Sequence, residues 1–117
     1  MSVINQQVLK ATTAGSDELL AEIAEKFLHK LPLLRQCVDF GIVNGQPKLI
    51  ESAARQLKNH FVYFGAESLE RLAQELETSA KGEQVESLEK LNLEIGNGVG
   101  ELLVELRELM KLPTPSE

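Results

Sequence analysis

The sequence predicts an all-α protein: an up-down-up-down four-helix bundle with a short extra helix at its N-terminus. Three observations predict it. Four long segments repeat apolar residues every three or four positions, the spacing that gathers one apolar stripe on a helix. Short turn signals separate these segments, and helices so joined bury their stripes by packing side by side. Composition agrees, because Leu, Ala and Glu dominate 117 residues that hold four Phe, one Tyr and no Trp, a mixture suited to helices rather than strands. A chain of this length builds a single domain with a real core. Residues 1–112 are expected to form it, and 113–117, with Pro113 and Pro115, a frayed tail.

In chain order, residues 3–12 read as a brief amphipathic helix through Val3, Ile4, Val8 and Leu9, followed by a connection at Thr12, Thr13, Ala14 and Gly15. Ser16 is a good N-cap, and Asp17 and Glu18 set negative charge in the first turn where the helix dipole favours it. The apolar positions Leu19, Leu20, Ile23, Ala24, Phe27, Leu31, Leu34 and Val38 predict a long helix over 17–43. Pro32 lies inside it and predicts a kink or break near Leu31, since proline removes a backbone bond and crowds the preceding turn. Asn44-Gly45-Gln46 is a turn.

The most regular helical pattern covers 47–65, with Leu49, Ile50, Ala53, Ala54, Leu57, Phe61 and Phe64 on one stripe. Pro47 suits a first helical position, and Gly65 the left-handed residue just past a helix end. Arg55, Gln56, Lys58, Asn59 and His60 occupy its polar side. Leu69, Leu72, Ala73, Leu76 and Ala80 carry the next helix to Lys81, closed by Gly82, with Gly65 as a one-residue hinge between the two. The last helix begins near Val85 and runs through Leu88, Leu91, Ile95, Val99, Leu102, Leu103, Leu106 and Met110. Gly96, Gly98 and Gly100 weaken it by about 1 kcal/mol each relative to alanine, and the expected result is an intact helix.

A formal charge of −6 argues against a nucleic-acid partner, which requires a basic surface. The single cysteine, Cys37, forbids an internal disulfide, is expected to be a small core residue, and fits a reducing, cytoplasmic setting. The first residues lack a basic start and a long apolar run, and no segment is long and apolar enough for a membrane. Two histidines without a cysteine cluster predict no metal site, and no motif calls for a cofactor. His29 reads as an exposed residue.

The run Ala54-Arg55-Gln56-Leu57-Lys58-Asn59-His60-Phe61-Val62-Tyr63-Phe64-Gly65-Ala66, followed by Leu69, Leu72, Leu76 and Glu77, resembles the signature of histidine-containing phosphotransfer (HPt) domains. Those relay modules of two-component signalling carry A-H-x-L-K-G, then small or apolar residues, then L-G-A. Phe27 and Pro32 fit a further family segment, and Asn44-Gly45 falls where those domains turn into the central helix. The resemblance implies a partner, namely a receiver or sensor-kinase domain, and gives structural roles to Leu57 and Gly65. It also exposes a departure. Arg55 stands at the position of the phosphoaccepting histidine, and a guanidinium is always protonated and has no lone pair with which to attack a phosphoryl group. Asn59 replaces a family glycine, while Lys58 matches the family lysine.

The resemblance therefore implies recognition without transfer, through Arg55, Gln56, Lys58 and Asn59. Arg55 and Lys58 share a face and would offer a positive patch to an acidic receiver site, unless they pair with Glu51 or Glu67 instead. His60 is the alternative nucleophile, but it lies roughly 140° around the helix from Arg55 at about 100° per residue. A helical interaction domain unrelated to phosphorelays, self-associating through an apolar patch, is the competing reading.

Overall fold

The computed structural model describes residues 2–82 and 85–110. Five helices account for almost all of them: α1 (Gln6–Thr13), α2 (Asp17–Val43), α3 (Pro47–Tyr63), α4 (Glu67–Lys81) and α5 (Val85–Met110). The chain is all-α over the described residues, as the apolar periodicity requires. Residues 113–117, expected as a tail, lie outside them.

Local signals set most of the helix ends. Asn5 caps α1 by accepting bonds from the Gln7 and Val8 amides, so this helix starts three residues later than its apolar pattern suggests and runs through Thr13. Thr13 is buried rather than part of the connection, its hydroxyl turned back onto the Leu9 carbonyl. Ser16 accepts from the Leu19 amide and opens α2. Pro32 neither breaks α2 nor ends it: the helix is continuous across 27 residues, with Pro32 on its exposed side. Buried Phe27, Leu31, Leu34 and Val38 hold it on both sides of the proline, and that packing outweighs the one lost backbone bond. Gly65 takes the left-handed conformation with φ +62, as its position past α3 predicts. The connection is three residues, Phe64 to Ala66, rather than one, because Phe64 caps α3 and Ala66 opens α4. Gly82 caps α4 in a right-handed conformation, φ −87.

Packing follows the chain. α3 lies against α4 and α2, α4 against α5, and α5 against α2, while no described Cα of α3 comes within 8 Å of one of α5. The core centres on Phe27, whose ring meets Phe61 edge-on at 6.3 Å and Phe64 at 5.1 Å. All three rings are fully buried, and such edge-to-face pairs add about 0.5–1.5 kcal/mol beyond the area they bury. The N-terminal segment is tied down by Glu105 of α5. Its Oε1 accepts from the Ser2 hydroxyl at 2.6 Å and the Ile4 amide at 3.0 Å, and its Oε2 accepts from the Val3 amide at 2.6 Å. Burial would raise the Glu105 pKa, but these three donors favour the carboxylate more strongly, so it sits below the ordinary value.

Between α2 and α5 the link is polar. Asn92 donates to Asp39 at 2.7 Å, and the Arg35 guanidinium reaches the Asn92 carbonyl. Gly96 leaves room for that guanidinium, since a Cβ there would stand 3.0 Å from Arg35 Nη2. Gly98 faces the buried Leu69 of α4, 2.5 Å from where a Cβ would sit, while Gly100 has nothing within 4 Å. The three glycines therefore differ in kind, although all three lie in an unbroken helix. Gly100→Ala is expected to raise stability by about 1 kcal/mol, the helix-propensity gain. Gly98→Ala is expected to lower it by about 1 kcal/mol, because overpacking of about 1–3 kcal/mol exceeds that gain. Urea unfolding of the two variants checks this; equal shifts would mean that α4 does not press on α5 at Leu69.

Candidate functional site

The candidate site is the outward side of α3 and the α4 surface beside it. Ala53, Ala54 and Leu57 turn into the core, which forces Arg55, Gln56 and Asn59 outward. Leu57 and Gly65 have the structural places expected of them: Leu57 is fully buried, and Gly65 forms the turn that brings α4 alongside.

Arg55 does not pair with Glu51 or Glu67. Its Nε and Nη2 both donate to Oε2 of Glu77, at 3.3 and 2.9 Å. Glu77 is only 8% exposed although it is an acid, whereas the Arg55 side chain is 60% exposed. Lys81, one turn further along α4, brings its ammonium to 3.8 Å from the same oxygen. An exposed ion pair contributes about 0–1 kcal/mol, but a buried carboxylate deprived of its partner costs about 1–3 kcal/mol. Arg55 is therefore a positioned cation, fixed by an acid it cannot easily leave. Two of its five N–H donors are engaged, which leaves three for a partner.

Lys58 also reaches to α4, donating to Gln74 Oε1 at 2.6 Å. Arg55 and Lys81 thus flank the buried Glu77 carboxylate, and Lys58 lies on the same side of α3, held by Gln74 of α4. Gln56 folds back along α3 onto the Ser52 hydroxyl at 3.3 Å. Asn59 is exposed, one turn beyond Arg55. The structure therefore brings together Arg55 and Lys58, with Gln56 on the other flank.

Sequence reasoning missed Glu77, Gln74 and Lys81. The signal was present, because Glu77 falls four residues after Ala73 and three before Ala80, an acid set into the apolar stripe of α4. A charge in a buried stripe needs a partner, and Arg55 is that partner.

His60 occupies a different flank, against α2. It is half-buried with its ring 5.7 Å from that of Phe27. Burial, then the nearby Lys30 ammonium, lowers its pKa from the ordinary 6.5. A histidine whose folded-state pKa is depressed stabilises the fold fully above about 6.5, and that contribution is lost as pH falls below it. His60→Gln is therefore expected to flatten the fall in thermal midpoint between about pH 7 and pH 5. Thermal scans across that range decide it; parallel slopes for wild type and His60→Gln would rule out the cost of charging His60. His29 is exposed on α2 beside Glu22, Glu25 and Lys26. Cys37 is half-buried against the core.

Among the described residues no helix is long and apolar enough to cross a membrane. Compared with family models, characterised proteins and solved structures, the chain matches none.

Proposed function

We propose that this chain is an HPt-like module that binds a receiver or sensor-kinase domain of a two-component phosphorelay without transferring phosphate. The reading includes the topology: α2 to α5 as an up-down-up-down four-helix bundle, with α1 and the N-terminal segment laid across one end. Contact between consecutive helices, closure of α2 onto α5, and the wider separation of the α3 and α5 backbones support it. A cytoplasmic setting is part of the same proposal.

The observation that carries it is Arg55. At the position where the resemblance calls for a nucleophilic imidazole stands an outward guanidinium, clamped by the buried Glu77. Receiver domains gather carboxylates around a metal ion, and a fixed guanidinium beside Lys58 is complementary to that charge. Transfer through His60 is disfavoured by its burial against Phe27 on the α2 side of α3.

Titration calorimetry of this protein into a panel of receiver domains, with and without magnesium, tests the proposal. Saturable binding to at least one receiver, with no acid-labile phosphate appearing on this chain from the phosphorylated receiver, is the expected result. Absence of binding across the panel would sink the reading, and labelled His60 would replace it with a transfer function.

A further inference from the structure

Residues 2–13 have polar attachments to the bundle at two points. At one, the Glu105 carboxylate of α5 accepts from the Ser2 hydroxyl and from the Val3 and Ile4 amides, all within 3.0 Å. At the other, the Asn5 amide donates to the Phe64 carbonyl, and the Asn5 and Val8 side chains stand over Gly65 in the turn between α3 and α4. Little else holds the segment. Of its apolar side chains only Ile4 and Leu9 are buried, and the α1 backbone comes within 8 Å of α2 and α3 but of no other helix. A segment with so few buried apolar groups opens at less cost than the core does. Its junction with α2 is suited to turning, because Ala14 and Gly15 are consecutive exposed residues in the left-handed region, φ +52 and +73, and nothing lies within 4 Å of where a Gly15 Cβ would stand. Ala14 is the one non-glycine residue with positive φ among the described residues, so it stores strain that a hinge motion relieves.

We infer that residues 2–13 open and close as one unit, a strap hinged at Ala14 and Gly15 and latched by the Glu105 carboxylate. Three donors on successive residues share that one carboxylate, so its displacement frees all three together. Ile4 lies in the chain between the two attachments, and withdrawing its side chain from the core loosens both. A helix of eight residues does not hold alone in water, so α1 unwinds as the strap leaves. Opening uncovers the Gly65 turn that sets α4 beside α3, and it bares the seats of Ile4 and Leu9 at that end of the bundle. The strap is thus a clip on the α3 and α4 pair, controlled from α5. The inference does not depend on what the Arg55 face binds.

Native-state hydrogen exchange of the full chain in low concentrations of urea, followed amide by amide by NMR, tests it. In the wild type the amides of Val3, Ile4, Asn5, Leu9 and Gly15 are expected to converge on one protection as urea rises, about 10-fold or more below that of Phe27 and Leu57 in the core. Glu105→Gln removes the charge and turns donors toward donors. It is expected to speed all five by about 10-fold or more, including Leu9 and Gly15, which form no hydrogen bond with it. Asn5→Ala takes away the α1 cap and is expected to speed the same five by about 5-fold, Val3 and Ile4 among them. Each variant acts at one attachment, and both must be felt along the whole strap. Protection that climbs steadily from Val3 to Gly15 without converging would mean simple fraying and overturn the inference. So would five amides as protected as Phe27 and Leu57, or variants whose effects stay with their own bonding partners.

Discussion

Gly65→Ala is expected to cost this protein about 2–5 kcal/mol of stability, although it adds a single methyl group. Two separate penalties combine there. At φ +62 an L side chain pays for the left-handed conformation, about 1–2 kcal/mol. The new Cβ would also stand 2.7 Å from the Val8 Cβ and 2.8 Å from the Asn5 Cβ. Both are fixed to the backbone at the start of α1, so neither can rotate away. The N-terminal segment would have to lift, and with it the Asn5 amide that donates to the Phe64 carbonyl at 3.0 Å and the buried Ile4 and Leu9. Overpacking of that kind costs about 1–3 kcal/mol. Gly45 provides the control, with the same φ of +62 and nothing within 4 Å. Gly45→Ala should pay the backbone penalty alone, about 1–2 kcal/mol. Denaturant unfolding of both variants measures the difference; equal losses would mean that α1 does not press on the turn between α3 and α4.

If the proposed binding of a receiver or kinase domain holds, Arg55→Glu is expected to reduce that affinity by about 100-fold, about 2.8 kcal/mol at tenfold per 1.4 kcal/mol. Reversing the charge at the centre of the patch sets a carboxylate against an acidic partner and, within the chain, against Glu77. That second effect lowers stability as well, moderated by Lys81 at 3.8 Å from the same oxygen. Arg55→Lys separates the two. It keeps the charge and thus most of the pairing with Glu77, but gives up the planar set of donors, so stability should stay near wild type while affinity falls about 10-fold. Calorimetry and unfolding on the same three proteins check both quantities. An affinity indifferent to the Arg55→Glu reversal would refute the assignment of the binding face.

Glycines and prolines in this chain show how local and tertiary information divide. Pro47 and Gly65 mark the ends of α3 correctly because helix start and stop are matters of φ and of unpaired amides within one turn. Pro32 marks the limit of such signals: its cost is local, while the packing of Phe27, Leu31, Leu34 and Val38 that keeps α2 unbroken across it involves other helices. Gly96, Gly98 and Gly100 look alike in sequence, and only their neighbours, Arg35, Leu69 and open space, tell them apart.

By itself the sequence determined the number of helices among the described residues, the extent of all but α1, the turn at Gly65, and which side of α3 faces outward. These follow from a 3.6-residue period and from capping, which reach no further than a few residues. Only the tertiary structure decided that Arg55 belongs to Glu77, 22 residues away across two helices, and that Glu105 fastens residues 2–4, about a hundred positions distant. It also decided that the His60 ring packs against Phe27 of α2. Such pairings depend on the register of one helix against another, which is set when whole apolar faces interlock at once and leaves no short-range mark along the chain.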